Sequence, residues 1–374
     1  MNRMKKLGFG LMRLPLVNPD DQTSIDIEQF KLMADKFIER GFTYFDTAYP
    51  YHGGQSEIAL REAVVKRYPR EAFTVTSKMP VWAIKEEGDL ERIFNEQLEK
   101  CGVDYFDYYW LHALNHERVE VMERMDGWGF IARKKAEGKI RHIGFSFHDD
   151  SALLAEILEK HPEVEYVQLQ INYMDWDSPA IESKTCYDLC VKHGKPVIVM
   201  EPVKGGSLAR VPEVIDRLFK DYNPDASAAS WAIRYCASLP NVMMVLSGMS
   251  NMEQLEDNTS YMQDFQPLND EEQSIITRAT EVIRDAIAIP CTACRYCTEG
   301  CPQQIAIPEY FNLYNTSQQF PELKANSKLY HDLIAKNRGS ASECIECGQC
   351  EAQCPQHIDI IDNLKLVAQA FENS

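Results

Sequence analysis

Two closely similar runs of cysteine constrain this chain more than any other feature. The first is CTACRYCTEGCP at residues 291–302, and the second is CIECGQCEAQCP at residues 344–355. Each run has the spacing C-x₂-C-x₂-C-x₃-C-P, and the two runs contain eight of the twelve cysteines. Repeated thiol clusters of this kind are typical of metal sites, and disulfides are disfavoured inside a reducing cell. We therefore expect the C-terminal part of the chain to fold around metal.

The spacing within each run is that of bacterial ferredoxins with two [4Fe–4S] clusters. Three close thiolates can hold one face of a cubane, and the proline stops a helix from carrying the fourth cysteine back to the same cluster. The fourth cysteine of each run then completes the other cluster. This reasoning assigns one cluster to Cys291, Cys294, Cys297 and Cys354, and the second to Cys344, Cys347, Cys350 and Cys301. Structural zinc is the alternative, because C-x₂-C pairs also bind zinc.

Ahead of the cysteine runs, short apolar segments typical of strands alternate with amphipathic segments typical of helices. The eight predicted strands lie at residues 7–11, 42–47, 73–78, 105–112, 139–146, 166–172, 195–201 and 242–247. Eight strands that each precede a helix favour an α/β fold of the (β/α)₈ TIM-barrel type. An open doubly wound sheet is the alternative, but the glycine-rich turn expected after its first strand is missing. We predict a barrel at residues 1–265 and a small, mainly helical, ferredoxin-like iron–sulfur domain at residues 266–374.

The charge and hydropathy of the chain exclude several classes of partner. The formal net charge is −18, whereas binding to nucleic acid or to an anionic membrane requires a basic face. No stretch of about 18 apolar residues occurs, and the first residues lack the apolar run of a signal peptide. We expect a cytoplasmic protein that binds neither nucleic acid nor a membrane.

Polar residues follow the apolar part of three consecutive predicted strands: Asp46 in FTYFDTAYPY, Lys78 in FTVTSKMP and His112 in YYWLHAL. Each alone has a structural explanation, as a cap, a solvated charge or a buried histidine, but barrel active sites form at the carboxyl ends of the strands. Tyr51 lies in the loop after Asp46. We expect a Lys78 ammonium to lower the pKa of Tyr51, and Asp46 to keep the lysine charged. Tyr51 would then protonate a substrate oxygen that His112 orients.

The stretch DTAYPYHGGQSE, with S-K and L-H following in order, resembles the aldo/keto reductase motif D-T-A-x-x-Y-x-x-G-x-S-E. The resemblance covers roughly residues 5–262. It implies that Asp46, Tyr51, Lys78 and His112 are the catalytic set, with Tyr51 as proton donor. It also implies a small-molecule carbonyl or alcohol substrate and a nicotinamide cofactor, NADP(H) or NAD(H).

The same resemblance implies which residues contact the cofactor. The positions that match the family's nicotinamide contacts are Ser146, Gln170 and Asn172. Those that match its pyrophosphate and adenosine contacts are Pro202, Val203, Gly205, Gly206, Leu208, Ser247, Gly248, Ser250, Gln254, Asp257 and Asn258. Many members bind the 2′-phosphate of NADPH through Lys and Arg in the last loop. Here the corresponding residues are Gly248 and Gln254, and SGMSNMEQLEDN contains no cation, so NADH is also compatible.

The two parts together resemble aldo/keto reductases that carry a C-terminal ferredoxin-type domain. Nicotinamides move two electrons as hydride and [4Fe–4S] clusters move one, and no flavin motif is recognisable, so three hypotheses stay open. The clusters relay electrons between the barrel and an external carrier, or they are structural or redox-sensing parts of a carbonyl reductase, or the protein is a non-catalytic redox sensor or binding protein. Residues 268–374 contain 15 acidic and 8 basic side chains, which suits a carrier with a basic face.

Overall fold

The computed structural model describes residues 4–86, 88–178, 181–286, 288–319 and 324–372. Eight strands form a closed barrel, in which each strand pairs in parallel with the next and β8 pairs with β1. The strands are β1 Leu7–Gly10, β2 Tyr44–Asp46, β3 Thr74–Met79, β4 Phe106–Leu114, β5 Ile140–Phe147, β6 Tyr166–Gln170, β7 Val197–Met200 and β8 Val242–Gly248. The predicted (β/α)₈ barrel is confirmed, and all eight predicted strands are present.

Helices connect the successive strands. They are α1 Ile27–Glu39, α2 Ser56–Leu60, α3 Asp89–Cys101, α4 His116–Arg124, α5 Gly127–Ala136, α6 Ser151–Lys160, α7 Ser183–Lys192, α8 Glu213–Tyr222, α9 Ala228–Ser238 and α10 Met252–Met262. Several begin where a polar side chain accepts a hydrogen bond from a backbone N–H of the first turn, as Asp26, Asn115, Asp150 and Asn251 do. Among the described residues, none of the helices has the length and apolar character needed to cross a membrane.

The side chains of the strands alternate between two apolar cores, because successive residues of a strand point to opposite faces. Along β4, Tyr109 and Leu111 belong to the large core that includes the surrounding helices. Tyr108 and Trp110 belong to a smaller core with residues of β2, β7 and β8. Gly144 of β5 makes room for the indole, since a Cβ there would come within 2.4 Å of Trp110. The same alternation places residue 112, at the carboxyl end of β4, on the inner face.

The described residues divide into two compact units. The first contains residues 4–178, 182–203 and 229–270, and the second contains residues 181, 204–228 and 271–372. The remaining helices are α11 Asp270–Ala286, α12 Tyr296–Glu299, α13 Ile307–Gln319, α14 Lys324–Ala335, α15 Gln349–Ala352 and α16 Ile360–Phe371. The segment that connects β7 to α9 thus groups with the cysteine region.

The cysteine region is built from two similar halves around one apolar core. In each half a four-residue helix, α12 or α15, carries the third cysteine of the run, and a C-P-Q turn leads into a longer helix, α13 or α16. The core between them includes Ile305, Tyr310, Ile360, Leu364 and Phe371. The predicted helical character of this region is confirmed.

Candidate active site and iron–sulfur centres

The four residues of the predicted catalytic set lie together in the first unit. Asp46 ends β2, Lys78 lies near the end of β3 and His112 lies in β4, while Tyr51 begins a short turn after β2. The Nζ atom of Lys78 lies 2.5 Å from Asp46 Oδ1, 2.8 Å from the carbonyl oxygen of Thr47 and 3.4 Å from the Tyr51 hydroxyl. Three acceptors around one nitrogen match the three N–H donors of an ammonium group.

His112 completes this group from the other side of Tyr51. The two ring centroids are 6.0 Å apart and nearly perpendicular, and Trp82 lies 5.1 Å from the imidazole. Burial lowers the pKa of His112 well below its usual value, and the positive charge of Lys78 acts in the same direction. The imidazole is therefore neutral at physiological pH and presents one N–H to a ligand.

Burial and mutual attraction have opposite effects on the pKa values of the buried lysine–aspartate pair. Burial raises the pKa of Asp46 and lowers the pKa of Lys78, while the attraction between the two side chains opposes both shifts. Within the described residues, His112 Nδ1 is buried without a hydrogen-bond partner. An unsatisfied polar atom of this kind is rare in protein interiors, and here it fits a site that binds a polar ligand.

The expected lowering of the Tyr51 pKa by Lys78 is wrong. Enclosure by the surrounding atoms raises the pKa of Tyr51 well above its usual value, and the negative charges of Asp46 and Glu201 add to the shift. Desolvation, which opposes formation of the phenolate, outweighs the nearby cation. Tyr51 is therefore fully protonated at neutral pH.

A buried polar network behind Lys78 was missed by the sequence reasoning, although its glutamate is the last letter of DTAYPYHGGQSE. Ser77 Oγ and Gln97 Nε2 donate to Glu57 Oε1 over 2.6 and 2.7 Å. Gln97 Nε2 also donates to the carbonyl oxygen of Lys78, and Tyr109 donates to Gln97 Oε1. Burial raises the pKa of Glu57 to about 7, although both hydrogen bonds oppose the shift. The network holds β3 and α3 in register at the level of Lys78.

The three residues predicted to contact the nicotinamide are all buried. Gln170 and Asn172 both donate to Asp175 Oδ2, over 2.8 and 2.7 Å, so one carboxylate holds two amides. Ser146 Oγ accepts a hydrogen bond from the backbone N–H of Ala113. Asp175 was missed, although it follows closely in QLQINYMD. The structure therefore brings Gln170 and Asn172 together and fixes the orientation of both amides.

The residues predicted to contact the adenosine half fall into two groups. The group that follows β8 includes Ser247, which accepts from Asn258 Nδ2 over 2.7 Å, and Ser250, whose backbone N–H donates to Gln254 Oε1. Gly248 ends β8, and Asp257 is a partly buried residue of α10. This group is continuous within the first unit.

The group that follows β7 is divided between the units. Pro202 and Val203 belong to the first unit, and Gly205, Gly206 and Leu208 belong to the second. Gly205 has φ +67°, and a Cβ there would lie 2.1 Å from the Thr292 carbonyl oxygen, so only glycine fits. The preceding residue is also buried in the second unit: Lys204 Nζ donates to Gln356 Oε1 over 2.9 Å. This lysine was not singled out from the sequence.

The cysteines form two groups, each drawn from both runs. A small pocket is lined by Cys301, Cys344, Cys347 and Cys350 together with apolar side chains such as Ile305 and Leu364. The other group is apparent from its electrostatics. Burial raises the pKa of Cys291 to about 11, and the neighbouring thiols of Cys294 and Cys354 add to the shift; burial also raises the pKa of Cys297, with the same neighbours contributing. Two sets of four thiols with apolar surroundings fit two [4Fe–4S] clusters.

Comparison with known proteins agrees with both parts of the chain. Residues 6–281 match the family described as "Aldo/keto reductase family", and residues 290–358 match the "4Fe-4S dicluster domain". An uncharacterized oxidoreductase of Schizosaccharomyces pombe is 26% identical over 266 residues, which cover 68% of this chain and 80% of that protein. The NADH-specific methylglyoxal reductase of Escherichia coli is 27% identical over 215 residues, covering 51% of this chain and 59% of the reductase. A crystal structure of a thermostable aldo-keto reductase superposes with a TM-score of 0.60 at 24% identity, covering 73% of this chain and 94% of that one.

Proposed function

The chain belongs to the aldo/keto reductase family and carries a C-terminal 4Fe–4S dicluster domain, and from this premise we propose that it is an NAD(P)-dependent, iron–sulfur oxidoreductase acting on a carbonyl or alcohol. The observation that carries the proposal is the position of Lys78, whose Nζ lies within reach of both Asp46 and the Tyr51 hydroxyl. A bound nicotinamide supplies or accepts hydride, and bound [4Fe–4S] clusters carry single electrons.

Tyr51 is the proton donor in this proposal. As hydride adds to the carbonyl carbon, the oxygen gains charge and takes the proton of the Tyr51 hydroxyl. The raised pKa of Tyr51 ensures that the donor enters the reaction protonated, and an alkoxide is basic enough to remove that proton. The phenolate that remains is stabilised by Lys78, and Asp46 holds the lysine in place. Neutral His112 donates one N–H to the substrate oxygen and orients it.

The eight cysteines are the proposed ligands of two clusters: Cys291, Cys294, Cys297 and Cys354 of one, and Cys344, Cys347, Cys350 and Cys301 of the other. An electron relay to an external carrier is supported by the acidic character of the region, since residues 268–374 contain 15 acidic and 8 basic side chains. Clusters with four thiolates add further negative charge, so a carrier with a basic face would be steered toward this surface. The alternative is that the clusters are structural or sense oxidation.

Anaerobic addition of NADH or NADPH to the holoprotein distinguishes these functions. Bleaching of the visible cluster absorption supports the relay, whereas carbonyl reduction with unchanged absorption supports the structural or sensing role. If neither nucleotide binds or is oxidised, the enzymatic proposal is wrong and a non-catalytic binding protein is favoured.

The role of Tyr51 has a separate test. Tyr51→Phe should lower kcat for carbonyl reduction by roughly 10²–10⁴-fold and leave nucleotide binding nearly unchanged, because only the proton donor is lost. Tyr49→Phe is the matched control, since the Tyr49 hydroxyl donates to Glu96 and not to the catalytic group. Full turnover by Tyr51→Phe would show that another group protonates the substrate.

A further inference from the structure

Arg13 lies in a turn for which the sequence predicts no functional role. The turn spans Leu11–Arg13 and directly follows β1. Since Gly10 of β1 pairs with Gly248 of β8, the turn starts level with the end of β8, at the carboxyl ends of the strands. The stem of Arg13 crosses Gly248: a Cβ at residue 248 would lie 3.2–3.3 Å from Cβ, Cγ and Cδ of Arg13. The missing side chain at residue 248 therefore leaves room for this arginine.

The backbone around Arg13 is held from two directions. Ser250 Oγ, in the loop after β8, donates to the carbonyl oxygen of Arg13 over 2.8 Å. On the other side, the backbone N–H of Leu14 donates to His52 Nε2 over 3.2 Å, and Ser56 Oγ donates to the carbonyl oxygen of Leu11. Arg13 is thus fixed between the loop that contains Tyr51 and the loop after β8.

The guanidinium group itself is incompletely satisfied. Arg13 Nη2 is buried and has no hydrogen-bond partner among the described residues. A buried guanidinium N–H without an acceptor costs free energy that a ligand oxygen would recover. Phosphate is the group that best matches the planar fork of arginine.

The loop after β8 cannot supply a positive charge for a phosphate, because residues 247–258 contain neither Lys nor Arg. The whole chain carries a net charge of −18, so a phosphorylated ligand needs a local cation to approach this end of the barrel. We propose that Arg13, presented from the loop after β1, binds a phosphate group of the dinucleotide. This inference rests on the proposed function, because it assigns a residue to the same nucleotide site.

The test is a titration of the full-length holoprotein with NADH and with NADPH, in which tryptophan fluorescence monitors binding. It compares Arg13→Gln, Arg13→Lys and the unchanged protein. Arg13→Gln should weaken binding by roughly 10- to 100-fold, the effect of a charged hydrogen bond. Its affinity should also fall less steeply with salt, which loss of packing alone would not cause. Arg13→Lys should recover part of the affinity, because it keeps the charge and loses the fork. Arg124→Gln removes an exposed arginine from α4 and is the control for charge.

The relative loss of affinity for NADH and for NADPH identifies which phosphate Arg13 contacts. Equal weakening of NADH and NADPH supports contact with the pyrophosphate, and weakening of NADPH alone supports contact with the 2′-phosphate. Wild-type affinity and salt dependence in Arg13→Gln, with iron content unchanged, would overturn the assignment while leaving the proposed function intact. If the unchanged protein binds neither nucleotide, both proposals are overturned.

Discussion

Exchange of the fourth cysteines between the two runs can be tested by single substitutions. The pocket that contains Cys344, Cys347 and Cys350 also contains Cys301, which belongs to the first run. Conversely, Cys354 of the second run contributes to the raised pKa of Cys291 and therefore lies near it. We expect Cys301→Ala to remove the cluster of the second run and Cys354→Ala to remove that of the first.

The expected size of the effect follows from the two sets of four thiols. If each set holds one [4Fe–4S] cluster, each substitution should remove about half of the iron and half of the acid-labile sulfide. Cys294→Ala and Cys347→Ala are the references for loss of the first and second clusters. The EPR spectrum of reduced Cys301→Ala should then match that of Cys347→Ala, and Cys354→Ala should match Cys294→Ala.

The assay combines iron and sulfide analysis with EPR of anaerobically purified, reduced protein. Cys236→Ala is the control, because this buried thiol lies in the barrel and donates to the carbonyl oxygen of Ile171; it should retain all of the iron. The opposite pairing of spectra, with Cys301→Ala matching Cys294→Ala, would show that each run binds its own cluster. Stoichiometric zinc in place of iron would refute the cluster assignment altogether.

Three further substitutions probe the buried charges. Asp46→Asn should destabilise the barrel by about 3 kcal/mol, because it leaves the buried Lys78 without its 2.5 Å partner; a lower calorimetric midpoint checks this. Burial raises the pKa of Glu57 from 4.5 to about 7, so the folded state binds this proton more tightly than the unfolded state does. A stabilisation of about 3 kcal/mol is therefore fully present below the unfolded pKa and is lost as the pH rises toward 7 and above. Glu57→Gln should therefore reduce the fall in thermal stability between about pH 5 and about pH 8. Lys204→Met should make the reduction potential of the cluster assigned to Cys354 more negative in an EPR-monitored titration, because Lys204 Nζ donates to Gln356, two residues after Cys354, and loss of a positive charge disfavours the more negative reduced state.

Each of these three substitutions has a control substitution at a more exposed residue. Asp35→Asn breaks a partly exposed ion pair with Arg67 and should cost much less than Asp46→Asn. Glu71→Gln, which removes an exposed carboxylate, is the control for the same measurement. An unchanged pH dependence in Glu57→Gln would contradict the raised pKa. Lys220→Met removes an exposed lysine and should not alter either cluster potential. Equal potentials in Lys204→Met and the unchanged protein would show that Lys204 does not act on the cluster assigned to Cys354.

The sequence predicted those features that depend on local patterns. Alternating apolar strands and amphipathic helices were sufficient for the barrel, because each segment must bury one face whatever its neighbours are. Asp46, Lys78 and His112 could be recognised since each follows an apolar strand near its carboxyl end, and parallel strands bring these ends together. The spacing of the cysteines likewise carries its own geometric constraint.

Features that arise only where distant segments of the chain come into contact could not be predicted from the sequence. The sequence places a lysine near Tyr51 but does not reveal how strongly the tyrosine is desolvated, and this desolvation decides the direction of its pKa shift. Asp175 and Gln97 are unremarkable in the sequence, since their roles arise only when they meet amides or carboxylates from other elements. Arg13 acquires significance only through Gly248, which is far away along the chain.

The grouping of residues 204–228 with residues 271–372 bears on how such a protein could have arisen. Joining two genes end to end adds residues only at a terminus, yet this unit also includes a segment that leaves and rejoins the barrel between β7 and α9. Gly205 is accommodated only because it has no side chain beside Thr292. A tail of this kind therefore needs a matching internal loop, and a protein cut at residue 265 would keep that loop without the residues it packs against.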